Sequence, residues 1–461
     1  MIPHTSPILY FTLSGFLLRF SWPPFDVPLS LAAGLILSAA AISNANYKHS
    51  IIGGAIVGGL WNSYLLIGLL PWGIYFAFGA WLISVFIMSI FYLLTKIIYT
   101  KMTPALGGIS ISLAWTCIMY ITQTLHYPIA LTPTLVRSTP EIASSLSNLG
   151  FFAGEFLIIL FTFSATLYFY QLRFALIALL VATALRNWLL ILNNETPETH
   201  TDIAIVQPAI RAESFFAASN NLYQRRKIEK SLDNLTYSAA SQNAQLIVWP
   251  EAANGLPNFN LPNRVKTTRN ILSQTKSELL ITGYEYNSAG KKFNTAYLIS
   301  SDSAIQRAQK KITVPLIESN LARGREKTFE SKIGRIGVAI CFEGLFNSQF
   351  KNLAEQQADY FFVLTDDSSM RNSNIPSIHT SYAILFSKIY KKPLVFSNNN
   401  SVSFTSNSLG EVTSIDREGN IPKVNYWKLS TKKTDASWII FNQEAVIAFI
   451  SALVLVCARN V

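Results

Sequence analysis

What most constrains this chain is how unevenly its charge is spread. Residues 1–195 hold seven Lys/Arg and four Asp/Glu, whereas residues 196–436 hold 29 and 21. Apolar runs fill the charge-poor part, near 8–20, 29–45, 51–70, 75–98, 107–125, 150–170 and 174–193, and an eighth lies near 438–458. Runs of this length and composition are what a helix needs to enter hydrocarbon. Only 14% of the whole chain is charged, against about 25% in an average soluble domain. The expectation is a helical membrane domain of seven spans at 1–195, a water-soluble domain at 196–436, and an eighth span at 437–461.

Loop charge sets the expected orientation. With the N-terminus inside, the inner loops hold Lys48, Lys96, Lys101 and Arg173, and the outer loops hold little beyond Arg137. The soluble domain is then extracytoplasmic and tethered at both ends. Two charges fall within expected spans, Glu155 and Arg186. Ionisable groups are costly at that depth, so a structural ion pair between neighbouring spans is expected, with lipid-headgroup handling as the alternative. Three cysteines are too few for a disulfide framework. Cys117 and Cys457 lie in apolar runs and are expected to be buried, inert thiols. The positive excess of the soluble part suits an anionic membrane surface. No basic stripe interleaved with aromatics and no glycine loop for phosphate is present, which argues against nucleic acid.

In the soluble part, β-branched apolar runs predict strands near 203–206, 246–249, 279–282, 296–299, 336–340, 360–364 and 394–396, with helices at 217–239 and 376–390 between them. Such alternation predicts an α/β or αββα layered fold, whose active groups lie just past strand ends. Three strand ends or adjacent loops carry groups of one chemistry. Leu246-Ile247-Val248-Trp249-Pro250-Glu251 ends in a carboxylate, Lys310 opens Lys310-Lys311-Ile312-Thr313-Val314-Pro315-Leu316-Ile317-Glu318, and Gly337-Val338-Ala339-Ile340-Cys341-Phe342-Glu343-Gly344 sets a cysteine where a buried strand stops.

A carboxylate, a lysine and a cysteine in that chain order resemble the nitrilase superfamily of carbon-nitrogen hydrolases. With seven expected spans before the domain and one after it, the whole chain is similar to that superfamily's apolipoprotein N-acyltransferase branch. Phe25-Asp26 after the first run and Val206-Gln207-Pro208 at the first strand of the domain belong to the same resemblance. The resemblance implies a catalytic triad of Glu251, Lys310 and Cys341, with Glu318 and Glu343 as two supporting glutamates. Several positions depart from the family pattern. Ala308 stands where a tyrosine is usual, Leu316-Ile317 replaces Phe-Gly, and Phe342 replaces a tyrosine. The stretch Thr365-Asp366-Asp367-Ser368-Ser369-Met370-Arg371 lacks the aromatics of Asn-Asp-Ser/Thr-Trp-Phe-Gly. The implied triad is intact while the walls around it are altered.

Chemistry supports the same roles. A thiol is mostly protonated at neutral pH, so acyl transfer from it needs a nearby base, which Glu251 supplies. Attack on a carbonyl develops an oxyanion that Lys310 can balance, and Glu318 or Glu343 can hold Lys310 in place. No cofactor and no metal is required. The expected activity is transfer of an acyl chain from a phospholipid, through a Cys341 thioester, to the α-amine of a diacylglyceryl-cysteine on a lipoprotein. It would be carried out by a monomer in the bacterial cytoplasmic (inner) membrane, on the periplasmic side. The alternatives are another lipid-linked acceptor, an amidase using water, or a transporter carrying a non-catalytic binding module.

Overall fold

In the computed structural model, which describes residues 6–168, 200–251, 262–430, 442–445, 447–448 and 451, the apolar runs fold as helices. The chain divides into a helical unit, Met1–Glu195 with Ser373–Ser381 and Ala436–Val461, and an α/β unit, Thr196–Asn372 with Tyr382–Asp435.

The main helices of the first unit are Pro7–Phe20, Ser30–Asn44, Tyr47–Trp61, Ile74–Lys101, Pro104–Thr124 and Phe151–Ile159, the last continued by a π-helical turn, Leu160–Ser164. Among the described residues only Ile74–Lys101 and Leu106–Thr124 are long and apolar enough to cross a membrane. Of the about eight expected spans, two are thus long and apolar enough among the described residues. Pro7–Phe20 has 14 residues and Ser30–Asn44 has 15, roughly 21–23 Å at helical rise and short of a hydrocarbon core of about 30 Å. The 51–70 run does not continue as one helix. Its helix ends at Trp61, Asn62 caps it, and the chain restarts as the short Tyr64–Gly68 helix. Hydropathy averages over such polar breaks. The 174–193 run, Arg186, Cys457 and most of the eighth run lie outside the described residues.

Polar groups of this unit face inward. Ser14 donates to the carbonyl of Gly34 (2.8 Å) and also bonds Ser38, which in turn lies 2.5 Å from the hydroxyl of Tyr92. Glu155 is fully buried; Arg186, its expected partner, lies outside the described residues, and among the described ones neutral donors satisfy it. Its carboxylate accepts from the indole of Trp115 (2.9 Å), the backbone N–H groups of Leu131 (2.9 Å) and Thr132 (2.7 Å), and the Thr132 hydroxyl (2.7 Å). Cys117, expected to be buried, is exposed.

Among the described residues, twelve strands build the second unit: β1 His200–Gln207, β2 Leu246–Val248, β3 Glu278–Tyr286, β4 Lys292–Ile299, β5 Gln306–Gln309, β6 Phe329–Ser331, β7 Gly334–Ile340, β8 Tyr360–Thr365, β9 Leu394–Asn398, β10 Ser403–Ser406, β11 Val412–Asp416 and β12 Lys423–Ser430. They form two six-stranded sheets, ordered β12-β1-β2-β3-β4-β5 and β11-β10-β9-β8-β7-β6. Each centre is parallel (β1-β2-β3 and β7-β8-β9) and each flank antiparallel. Ile203, Ile205, Val248 and Leu280 of the first sheet share one core with Val338, Ile340, Phe362 and Leu364 of the second. The outer face of the first sheet packs on Leu232, Ala239 and Ala240 of the helix Leu222–Ser241 and on Leu272 of Pro262–Ser273. On the second sheet, Phe361 meets Phe350 and Tyr390 from flanking helices. The layers therefore run helix, sheet, sheet, helix, the expected αββα sandwich.

Glu155→Leu should destabilise the helical unit strongly, because it leaves one indole and two backbone N–H donors buried without an acceptor, at about 1–3 kcal/mol each. Glu155→Gln keeps one acceptor oxygen and should lower the melting temperature less. Thermal unfolding of the two variants in detergent checks the order.

Candidate active site

Strand ends place the candidate residues. Trp249 stays tied to the sheet through its N–H to the carbonyl of Leu280 (2.9 Å), so Glu251 emerges just beyond β2. Lys310 extends β5 by one residue, its N–H donating to the carbonyl of Asn294 (2.8 Å). Asn294 is itself the cross-strand partner of Tyr284. Tyr284, Asn294 and Lys310 thus form one row across three strands, and residues opposite each other in a ladder face the same side. Cys341 follows β7 in the other sheet. Glu251 and Lys310 therefore come from one sheet and the cysteine from its partner.

The three side chains are buried: Glu251 is 7% exposed, Lys310 1% and Cys341 9%. The Lys310 ammonium donates to Glu318 Oε1 at 2.8 Å and to Glu251 Oε1 at 3.4 Å. Asn294 Nδ2 donates to that same Glu251 oxygen at 2.7 Å. With both donors on Oε1, Oε2 is the oxygen disposed to accept a proton. Glu318 Oε2 accepts the N–H of Val314 (2.7 Å), which closes the 314–318 loop on itself. The left-handed residue of that loop is Leu316 (φ 65°), which is 79% exposed.

Electrostatics follow from this burial. Burial alone would lower the Lys310 ammonium, but the Glu251 and Glu318 carboxylates, and the Cys341 sulfur when ionised, outweigh it and hold Lys310 charged, well above the usual lysine value. The Cys341 thiol is pushed well up, first by burial and then by the Glu251 charge, with Lys310 opposing. A resting thiol of this kind is neutral, so nucleophilic use of the sulfur would require a base to take its proton. Tyr284 is raised to about 12 by burial and by Glu251 and Glu318.

Cys341 has φ 51°, a left-handed conformation that costs a non-glycine residue roughly 1–3 kcal/mol. Glu343 holds the chain there. Its Oε2 accepts the N–H of Ile340 (2.8 Å), and its Oε1 accepts those of Lys311 (2.6 Å) and Ile312 (3.1 Å). Of the two candidates for holding Lys310, Glu318 touches its ammonium. Glu343 instead staples the segment after Lys310 to the elbow that carries Cys341. Three further residues border the site. Tyr284 and Asn294 are visible only once the β3–β4 register is known. Asp366, just past β8, accepts from the Ser368 N–H (3.1 Å) and the Asn399 amide (3.1 Å), and burial raises it to about 6.

Residues 202–400 match the family described as Carbon-nitrogen hydrolase, so the α/β unit carries a carbon-nitrogen hydrolase domain of the nitrilase superfamily, a superfamily of enzymes. Similar solved structures include a carbon-nitrogen hydrolase from Helicobacter pylori G27, with 14% identity and TM-score 0.41 over 50% of this chain and 88% of that one. Nit3 of Saccharomyces cerevisiae, a nitrilase-superfamily member, shows 18% identity and TM-score 0.38 over 54% and 94%. A Nesterenkonia amidase of the same superfamily shows 15% and 0.39 over 54% and 96%. No curated protein matches the sequence.

Burial holds the Glu343 carboxyl up at about 7, so the folded protein keeps a proton there that the unfolded chain gives up from roughly pH 4 upward. This group's contribution to stability is therefore fully present at low pH and declines as pH rises toward 7. Glu343→Gln should flatten that part of the fall in melting temperature between about pH 4 and 7; an unchanged slope would contradict the raised value.

Proposed function

We propose that this chain is a membrane-bound acyltransferase of the apolipoprotein N-acyltransferase type, working through a thioester on Cys341. The observation that carries this reading is the enclosure of Glu251, Lys310 and Cys341 in one buried site, with a neutral thiol and a permanently charged ammonium. In the first half-reaction Cys341 Sγ attacks the ester carbonyl of a phospholipid. Glu251 takes the thiol proton and delivers it to the departing lysophospholipid oxygen, while Lys310 balances the oxyanion. In the second, the α-amine of a diacylglyceryl-cysteine attacks the thioester, and Glu251 carries a nitrogen proton back to Sγ.

Several features support a lipid substrate and a membrane location. Ile74–Lys101 has 28 residues, with only 33% of its most apolar window buried. Its exposed side chains include Tyr75, Phe78, Leu82 and Phe86. Polar groups facing inward behind such an exterior suit a hydrocarbon solvent. In the α/β unit, Leu316 and Ile317 expose apolar surface on the loop whose Glu318 touches Lys310, a surface suited to an acyl chain. The loop charges favour the extracytoplasmic side. The altered 365–371 segment favours one second reading, the same thioester chemistry with a different lipid-linked acceptor.

The test uses full-length protein in phospholipid vesicles and a synthetic diacylglyceryl lipopeptide. The peptide with a free α-amine should gain one acyl chain, and the same peptide with a blocked amine should gain none. Glu251→Gln should lower turnover by about 10²–10⁴-fold and Lys310→Met by about 10²–10³-fold. Because the two serve one site, the double variant should lose much less than the product. Multiplicative losses would contradict a shared site, and equal labelling of the blocked peptide would contradict N-acylation.

A further inference from the structure

Asp366 is a carboxylate that the triad does not use. On β8, Tyr360, Phe362 and Leu364 point into the core between the sheets, and Asp366 is the next residue in that alternation, beyond the strand end. β8 runs parallel to β7 with Leu364 opposite Ile340, so Asp366 and Cys341 leave the same edge of the sheet on neighbouring strands. Its partners among the described residues are neutral, the Ser368 N–H and the Asn399 amide. The nearby ammonium, Lys310, already serves Glu251 and Glu318. A half-buried carboxylate with no cationic partner among the described residues, at the same sheet edge as the candidate nucleophile, is a place for a cation that arrives with substrate.

We propose that Asp366 receives the acceptor, binding its amine as an ammonium ion beside the acylated Cys341 and making the site selective for cationic amines over neutral nucleophiles. This rests on the acyl-transfer reading above and adds the residue that selects the acceptor. The bound ammonium releases one proton to water by way of Asp366. The free amine then attacks the thioester carbonyl, a C–N bond forms and the C–S bond breaks, and Glu251 moves the second nitrogen proton to Sγ. Each amide formed therefore releases one proton. Asn399 positions Asp366 by donating to Oδ1, and the Ser368 hydrogen bonds to the same carboxyl are neutral, so its charge is left for the incoming ammonium.

A competition experiment tests this on the full chain in phosphatidylethanolamine–phosphatidylglycerol vesicles. The acyl-enzyme is offered the free-amine lipopeptide together with hydroxylamine, which is uncharged at neutral pH, and the two acyl products are quantified. In Asp366→Asn the ratio of lipopeptide to hydroxylamine product should fall about tenfold to hundredfold, the loss expected of one charge-assisted contact. Asp366→Glu should restore most of it. An unchanged ratio in Asp366→Asn, or an equal fall in Asp366→Glu, overturns the assignment. If the native protein forms neither product, the acyl-transfer reading itself fails and the assignment falls with it.

Discussion

The arrangement depends on a buried ammonium held between two carboxylates. Lys310 is 1% exposed, and an uncompensated charge at that depth would cost several kcal/mol. Glu251 comes from the end of β2 and Glu318 from the loop beyond Lys310, so neutralising one ammonium fixes the relative position of both segments. The same contacts set the chemistry. An ammonium kept charged suits a developing oxyanion, and Asn294 and Lys310 both hold Glu251 by its Oε1.

The second sheet supplies the candidate nucleophile, Cys341, under a different constraint. A cysteine in a left-handed turn is unfavourable, and Glu343 holds it by accepting three backbone N–H groups from both sides of the site. Acid and base groups are thus ordered by one sheet and the thiol by the other, and the core of Val248, Leu280, Ile340 and Leu364 between them sets their separation. Close packing of that kind changes little without cost, which suits a site that must hold several groups in register.

Much of this was legible in the sequence, for identifiable reasons. The central strands are continuous apolar runs buried on both faces, and each ends in a polar residue, so Glu251 and Cys341 could be placed at strand ends. The strands β5, β6, β10, β11 and β12 were not foreseen, because they are short or carry polar residues at exposed positions. The row of Tyr284, Asn294 and Lys310 depends on strand register, which composition does not encode. Glu343 is satisfied by backbone N–H groups, and such partners leave no mark in a sequence pattern. In the helical unit the runs near 8–20 and 29–45 match their helices to within a residue, while the 51–70 run overstates its helix, which ends at Trp61 with Asn62 as its cap. Glu155 stood out as a costly buried charge, and its partners proved to be an indole, two backbone N–H groups and a hydroxyl.

The central claim is that Cys341 becomes a thioester, and intact-protein mass spectrometry after incubation with phospholipid addresses it most directly. The account predicts a mass gain of one acyl chain that maps to Cys341, is removed by hydroxylamine and is absent from Cys341→Ala. No adduct on well-folded protein, or an adduct that persists in Cys341→Ala, would contradict it.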